Sequence, residues 1–274
     1  MINTLDLSPF PNNVGTILNS TSIDIEKHLI TDIPKKTIIR IYGVVGSGKG
    51  TLAKQLCQNY PFTNLETSNI LRSATWIYKT LNLEFSKENT DKVFDQIDIK
   101  IEGKKLIFFW NKQDKQIKLE SVELRSNVVD QYVSTLSGDP YFREKYYNKI
   151  NFILENLVDS PVILDGRGCD TPYLREAEKN NFKVIRIFLW VNEEISYDRF
   201  LSRLNITETI ETKSSLKLKF TENVLNRDKK DYENVISNNL GTISADTGII
   251  DTSHLSPEQI LEITLGFIVE KLNL

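Results

Sequence analysis

The order of apolar and polar positions along the chain predicts strands that alternate with helices. Five short runs rich in β-branched and other apolar residues have the length and composition of buried strands. These runs are 37–42, 63–66, 161–164, 182–190 and 247–251. Elsewhere apolar residues recur at the three- and four-residue spacing of a helix, as in the segment 68–80. Further helices are predicted directly after residue 51, at 126–136, 140–157 and 213–238, after Asn192, and after Ser256.

A different pattern interrupts this series between about residues 81 and 125. Residues 97–101 alternate between apolar and polar side chains, Glu102 and Gly103 offer a turn, and 106–110 is strongly β-forming. With 116–119, these segments predict a small antiparallel meander inserted between helices. The remainder indicates an α/β fold, in which helices cover both faces of a parallel sheet.

Composition and charge exclude several classes of protein. The 274 residues carry a net charge of −3 with no sustained basic block, which argues against a nucleic-acid partner. Two cysteines are too few for a disulfide scaffold. The most apolar run, 184–191, is far too short to span a bilayer, and the N-terminus does not resemble a signal peptide. We therefore expect a cytoplasmic monomer that does not bind membranes.

The most informative segment is the glycine-rich run Gly-Val-Val-Gly-Ser-Gly-Lys-Gly-Thr at 43–51. It joins a predicted buried strand to a predicted helix, and such a turn directs backbone N–H groups and the positive end of the helix into one hollow. Only an anion satisfies so many aligned donors, and Lys49 adds a full positive charge. The run therefore predicts a nucleotide phosphate site formed by Gly43, Gly46, Ser47, Gly48, Lys49, Gly50 and Thr51.

The sequence Gly-x-Gly-Lys-Gly-Thr resembles the P-loop nucleoside monophosphate kinases, and further motifs resemble the cytidylate kinases among them. These motifs are Leu-Glu-Thr-Ser-Asn-Ile-Leu-Arg at 65–72, Ser134 and Arg143 nine residues apart, Asp-Gly-Arg at 165–167, Arg227-Asp228-x-x-Asp231, and Ile-Asp-Thr-Ser-x-Leu-Ser at 250–256. Each motif is weak alone, but their shared order is specific. The resemblance covers 37–274, and the meander lies where bacterial cytidylate kinases carry an insert.

The resemblance implies a P-loop NTPase-type sheet with a small β-rich insert that binds the acceptor nucleotide and a lid at about 205–240. Residues 1–36 would be an extension of unknown role. The implied catalytic residues are Lys49, Asp165, Arg167 and Arg227. The implied acceptor-binding residues are Thr67, Arg72, Ser134, Arg143, Arg167 and Asp231.

The resemblance also implies ATP as phosphate donor and Mg²⁺, which bridges its outer phosphates. Asp165 would hold water molecules of the ion or orient Arg167; a cap on the following turn is its structural alternative. No dedicated protein metal site is expected. Arg199 would contact ATP, but the family's paired arginines appear here as Asp198 and Arg199, so a solvated helix position is equally open.

Two positions depart from the family pattern. Gly168 stands where the family has an acid that accepts from the cytosine amino group, and Asn234 replaces an arginine for the acceptor phosphate. A lost charge-assisted hydrogen bond is worth about 1.5–3 kcal/mol. Asp170 is the nearest substitute acid, and its proximity alone suggests it. The reaction type is therefore better supported than the base preference.

The leading hypothesis is phosphorylation of CMP or dCMP by ATP, giving ADP and the nucleoside diphosphate. A kinase of the same fold with another nucleotide acceptor is one alternative, favoured by Gly168. A non-catalytic nucleotide-binding regulator is the other, favoured by Asn234 and the altered pair at Asp198. Lys49, Arg72, Arg167 and Arg227 together argue against the regulator, because an ATP sensor needs no acceptor-phosphate site.

Overall fold

A mixed β-sheet forms the centre of the molecule in a computed structural model that describes residues 16–18, 32–166, 171–203, 215–218, 220–222 and 246–274. Within those ranges the strands are β1 (Thr16–Ile17), β2 (Thr37–Gly43), β3 (Thr63–Leu65), β4 (Ile97–Glu102), β5 (Lys105–Lys112), β6 (Lys115–Lys118), β7 (Val162–Asp165), β8 (Lys183–Trp190) and β9 (Gly248–Asp251). Their order is β1-β9-β8-β2-β7-β3-β5-β4, and β6 pairs with β5. The strands from β1 to β3 in this order are parallel.

Helices lie between the strands; six of those described lie where the sequence predicts them, and three, at 87–95, 121–124 and 172–179, were not predicted. The helices are α1 (Lys49–Asn59), α2 (Ser68–Thr80), α3 (Lys87–Asp95), α4 (Ser121–Leu124), α5 (Asn127–Leu136), α6 (Pro140–Asn156), α7 (Pro172–Lys179), α8 (Glu193–Arg203) and α9 (Pro257–Leu272). The predicted caps of the last two are present. Asn192 Oδ1 accepts from Ile195 N at 2.9 Å, and Ser256 forms a capping box with Gln259.

Both faces of the parallel sheet are covered, which confirms the predicted α/β architecture. Alternate residues of β2 enter different apolar clusters because successive strand side chains point to opposite faces. Ile38 packs with residues of α2, α6 and α7, whereas Ile39 and Ile41 pack with residues of α1 and α9. The sheet therefore lies between two helical layers. Its faces are covered, so a ligand site would be formed by the loops at the ends of the strands.

The insert forms an antiparallel meander of β4, β5 and β6, as predicted. It is continuous with the parallel sheet, because Asn64 in β3 pairs with Lys105 in β5. The helix α3 precedes the meander and was not predicted. Ser86 caps it, since its hydroxyl accepts from Asn89 N at 3.1 Å.

The tip of the meander also contacts the helix that follows the glycine-rich turn. Lys104 Nζ donates to the carbonyl oxygens of Cys57 at 2.8 Å and Tyr60 at 2.7 Å, at the C-terminal end of α1. That last helical turn has no basic residue of its own. A cation there satisfies terminal carbonyls and complements the negative end of the helix dipole. Lys104 thus ties the insert to α1.

Replacing Lys104 with methionine is expected to lower the free energy of unfolding by about 1 kcal/mol, because the C-terminal carbonyls of α1 lose a charged donor. Urea denaturation followed by circular dichroism measures this change. The matched control is Lys105→Met, since Lys105 is also exposed and directly adjacent. Equal stability of the two variants would contradict the proposed tie.

Several predictions fall on residues that the structure does not describe. The polar helix at 213–238 and the lid at 205–240 lie mostly outside the described ranges, as does most of the extension 1–36. In the part of the chain that is described, none of the helices is apolar over a length sufficient to cross a bilayer.

Candidate active site

The carboxyl ends of four neighbouring parallel strands meet at one edge of the sheet. In the order β9, β8, β2 and β7, these strands end at Asp251, Trp190, Gly43 and Asp165. The loops that leave such an edge form the ligand crevice of open α/β sheets. The glycine-rich turn is the loop after β2, in the middle of this edge.

Glycine is required in that turn by conformation and by space. Gly43, Gly46 and Gly48 have φ angles of 143°, 80° and 92°, which side chains of L-residues rarely allow. A Cβ on Gly43 would lie 2.0 Å from the carbonyl oxygen of Leu189, and one on Gly46 would lie 2.6 Å from Ser196 Oγ. The turn is therefore closely packed against β8 and α8.

Side chains hold the turn from inside and from α8. The buried Ser47 donates its hydroxyl to the carbonyl of Val44 at 2.8 Å. Ser196 donates to the carbonyl of Val45 at 2.9 Å. These bonds occupy carbonyl oxygens and fix the turn before any ligand arrives, which lowers the entropic cost of binding.

Lys49 is the first residue of α1 and its ammonium group lies over the turn. Its Nζ donates to the carbonyls of Gly43 at 2.9 Å and Val44 at 2.7 Å. The first turn of α1 contains no acidic residue of its own that would neutralise the positive end of the helix. The combination suits a polyanion placed over the N-terminus of α1.

Arg199 joins the site from α8. It donates to the carbonyl of Gly46 at 2.9 Å, and to both oxygens of Thr252, at 3.2 Å for the hydroxyl and 2.8 Å for the carbonyl. Burial lowers the pKa of Arg199, and nearby Asp251 opposes this effect. The structure therefore favours a site position for Arg199 over a solvated helix position.

A cavity of about 860 Å³ opens over the turn. Its wall includes Gly46, Gly48, Lys49, Gly50 and Thr51 from the predicted phosphate site, together with Asp165, Arg199 and Arg125. A Cβ built on Gly50 would lie 3.8 Å from Asp165 Oδ2, so this carboxylate stands beside the first turn of α1. Three cations and one carboxylate thus surround a space large enough for a nucleotide.

Asp165 and Thr51 line this cavity, and their side-chain oxygens are suitable ligands for a magnesium ion or its water molecules. No three histidine, cysteine, aspartate or glutamate side chains of the described ranges group closely enough to hold a metal. Mg²⁺ prefers oxygen and is usually held by one or two carboxylates plus water and substrate phosphates. The residues present therefore fit an ion that arrives with its nucleotide.

The predicted acceptor residues lie on the side of the insert. Arg72 on α2 donates from Nη1 to the carbonyl of Leu124 at 2.8 Å and to Asp130 Oδ1 at 2.7 Å. The side chain of Arg72 is 16% exposed and that of Asp130 is 53% exposed, so solvent reaches this ion pair from the aspartate side. Thr67 is buried just before α2.

Arg143 lies in a second cavity of about 960 Å³ between α6 and α7. It donates from Nε and Nη2 to the carbonyl of Ser137, at 3.2 and 2.9 Å. Arg143 and Arg72 are therefore not among the residues that line the cavity over the glycine-rich turn.

Arg125 is a candidate that sequence reasoning missed. It follows α4 and lines the cavity over the glycine-rich turn, and its Nη2 lies 3.6 Å from Glu66 Oε2. In the sequence, Arg125 is marked only by its position directly before the predicted helix 126–136. Its place at the cavity depends on how the insert folds back onto the sheet, which the sequence does not indicate.

Four predicted site residues, Arg167, Asp170, Arg227 and Asp231, lie outside the described residues, as do the departures Gly168 and Asn234. Ser134 lies on α5, but the structure does not describe its side chain.

The amino-acid sequence is similar to those of known proteins of one family. The sequence profile of the family described as cytidylate kinase matches residues 39–270. The cytidylate kinase of Streptococcus suis (strain 05ZYH33) is 30% identical over 246 residues, covering 86% of this chain and 96% of that protein. The cytidylate kinases of Aquifex aeolicus (strain VF5) and Lysinibacillus sphaericus (strain C3-41) are 27% and 29% identical, covering 85% and 87% of this chain and 96% and 99% of theirs. The chain belongs to the cytidylate kinase family.

Proposed function

We propose that this protein transfers the terminal phosphoryl group of ATP to CMP or dCMP. The observation that carries the proposal is the convergence of Lys49, Arg199 and Asp165 on one cavity over a preformed glycine-rich turn. Phosphoryl transfer needs positioning and neutralisation of charge more than it needs a general base. The cavity offers both, and family membership supplies the acceptor.

The donor phosphates would lie over the N-terminus of α1. Backbone N–H groups of the turn would bind their oxygens, as at other helix N-termini. Lys49 Nζ would exchange its two carbonyl partners for phosphate oxygens, which are stronger acceptors because they are charged. Arg199 would add a second positive charge while still bonded to Thr252.

Asp165 and Thr51 would hold a Mg²⁺ ion that arrives with ATP. The bound ion would supply positive charge that stabilises the phosphates during transfer. Gly50 leaves room beside Asp165 for the water ligands of the ion, since a Cβ there would approach Oδ2 to 3.8 Å.

The acceptor phosphate would bind between the insert and the turn. It is a dianion at neutral pH for the most part, because its second pKa is near ~6. Arg72 would release Asp130 in exchange for this anion, and Arg125 would release Glu66. By family resemblance Arg167 would contact the same phosphate, Ser134, Arg143 and Asp170 the base, and Asp231 the ribose.

The segment 205–240 would act as a lid that brings Arg227 to the transferring group. A closing lid excludes water, so the terminal phosphoryl group of ATP passes to the acceptor nucleotide, with ADP as leaving group, and not to water. The catalytic set proposed is therefore Lys49, Asp165, Arg167 and Arg227.

Replacing Arg72 with glutamine is expected to raise KM for CMP roughly ten- to a hundredfold, because one charge-assisted hydrogen bond to the acceptor is lost. KM for ATP should stay within about twofold, since Arg72 is not part of the donor cavity. Steady-state kinetics with each substrate varied in turn measure both values.

The matched control is Lys79→Gln on the same helix. Lys79 Nζ lies 3.5 Å from the ring centroid of Tyr132, at the opposite end of α2. Its replacement should leave both KM values unchanged. An Arg72 variant with normal KM for CMP would remove Arg72 from the acceptor site.

A panel of nucleoside monophosphates tests the function itself. CMP, dCMP, UMP, AMP and GMP are each supplied with ATP and Mg²⁺, and release of ADP is followed by a coupled assay. We expect the highest kcat/KM with CMP or dCMP. Binding of ATP without turnover of any monophosphate would contradict an enzymatic role.

A further inference from the structure

Two charged residues are buried among the described residues, and they are neighbours. Arg40 in β2 is 2% exposed and Arg186 in β8 is 6% exposed. The two are register partners on adjacent parallel strands, so their side chains point to the same face of the sheet. Burial of a guanidinium group is costly unless the group is paired and hydrogen-bonded. The two arginines differ in their partners.

Arg186 has a structural explanation. It donates from Nη2 to Glu178 at 2.8 Å and from Nη1 to Asp246 at 3.4 Å. Glu178 belongs to α7, and Asp246 belongs to the segment before β9, on the side of β8 that faces away from β2. Arg186 therefore ties a helix and a strand to the sheet.

Arg40 points toward the other side, to the strand that carries Asp165. Its Nη1 donates to the carbonyl of Leu164 at 3.1 Å, one residue before Asp165. Both Nη atoms would lie 2.9 Å from a Cβ built on Gly166. The guanidinium group thus supports the turn after β7 from below, and only glycine at 166 permits this approach.

Two tyrosines of α6 connect the same guanidinium group to the acceptor side. Burial raises the pKa of Tyr146 and of Tyr147, and the charge of Arg40 acts on both in the opposite direction. The rings of Tyr146 and Tyr147 pack against each other with their centroids 5.4 Å apart, and Tyr147 lines the same cavity as Arg143. Arg40 therefore lies between the turn after β7 and the helix α6, which carries Arg143.

We infer that Arg40 is a positioning residue for the acceptor nucleotide. It fixes the Asp165–Gly166 turn directly, and it lies near the two tyrosines of α6, one of which lines the cavity of Arg143. Since Arg40 is almost inaccessible, it does not contact the nucleotide but holds the groups that do. Its fixed charge also adds positive potential beneath a pocket that receives a dianion. The inference rests on the proposed function, which supplies the acceptor.

The test compares Arg40→Met with Arg186→Met, because each removes one buried guanidinium group from adjacent positions of the same face. Arg40→Met is expected to raise both KM and the calorimetric Kd for CMP about tenfold, whereas the Kd for ATP measured without Mg²⁺ should change less than twofold, because Asp165 is assigned to the ion and not to ATP itself. Arg186→Met should leave all three within twofold, whatever it does to stability. Circular dichroism and thermal melting identify a variant that has lost its fold.

A second pair of variants tests the contact itself. Gly166→Ala places a methyl group against the guanidinium group and should raise KM for CMP in the wild-type background. In the Arg40→Met background the same change should have little further effect, because the obstructing group is gone. Such non-additivity in a double-mutant cycle is specific to residues in contact.

The outcomes separate this inference from the proposed function. Wild-type protein that phosphorylates no nucleotide would overturn both. An active wild-type enzyme whose Arg40→Met variant binds CMP normally, or loses ATP affinity equally, would overturn the positioning role alone. Additive effects of Arg40→Met and Gly166→Ala would also overturn it, and this second measurement applies even if one single variant folds poorly.

Discussion

Replacing Lys49 with methionine is expected to lower kcat/KM for ATP by about 10²–10³-fold while the protein stays folded. The ammonium group lies over the turn, where it donates to the carbonyls of Gly43 and Val44. Those carbonyls have water as an alternative partner, so stability should change little. Water cannot replace the positive charge of the ammonium group at the N-terminus of α1, so phosphoryl transfer should become slower. Steady-state kinetics and thermal melting measure the two effects.

A suitable control is Lys54→Met, which removes an exposed lysine from the same helix. Its activity should equal that of the wild type. If Lys49→Met retained more than about one tenth of the wild-type kcat/KM, the proposed phosphate site over the turn would be incorrect.

Replacing Gly43 with alanine is expected to lower the free energy of unfolding by about 3–5 kcal/mol and to abolish ATP binding. The new Cβ would lie 2.0 Å from the carbonyl oxygen of Leu189, a backbone atom of the neighbouring strand. A flexible side chain would move aside, but a strand in the centre of the sheet cannot. The residue would also be strained by its φ of 143°. Urea denaturation and titration with ATP measure the outcome.

The variant Gly103→Ala distinguishes the effect of backbone strain at a positive φ from the effect of a steric clash of the new Cβ. Gly103 also has a positive φ, of 61°, but no atom lies within 4 Å of its built Cβ. We expect only the cost of the left-handed conformation, about 1–2 kcal/mol, and normal ATP binding. Similar losses in the two variants would show that the close approach to β8 is not the limiting feature.

The elements of the parallel sheet were predictable because their signals are local. The helix 68–80 was predicted with the boundaries that α2 has, since its apolar spacing lies within thirteen residues. The strand before the glycine-rich turn and the helix after it likewise follow from adjacent residues. The capping of α8 by Asn192 and of α9 by Ser256 depends on three or four residues in a row.

Features that depend on distant parts of the chain were not predictable. The helix α3 was missed because its short amphipathic stretch lies in a segment interpreted as β-rich. The pairing of Asn64 with Lys105 and the contact of Lys104 with α1 join positions about forty residues apart. Nothing in the local pattern indicates such contacts.

The same distinction applies to the candidate site. Lys49 and the glycines were identified because a phosphate turn needs its residues consecutively, within one strand–turn–helix unit. Arg125 and Arg40 were missed because an arginine carries no signal of its own about where its guanidinium group lies. In β2, Arg40 interrupts a mostly apolar strand, but the sequence does not indicate which groups its guanidinium group contacts.

By itself, the amino-acid sequence determined the α/β fold, the phosphate turn and the cytidylate kinase family, because hydrophobic periodicity, glycine placement and motif order are all properties of the linear chain. The tertiary structure alone decided which cations share a cavity, which of them are already paired, and which charge is buried beneath the acceptor side. Those properties depend on through-space distance and desolvation, and both arise only when the strands pair and the helices pack.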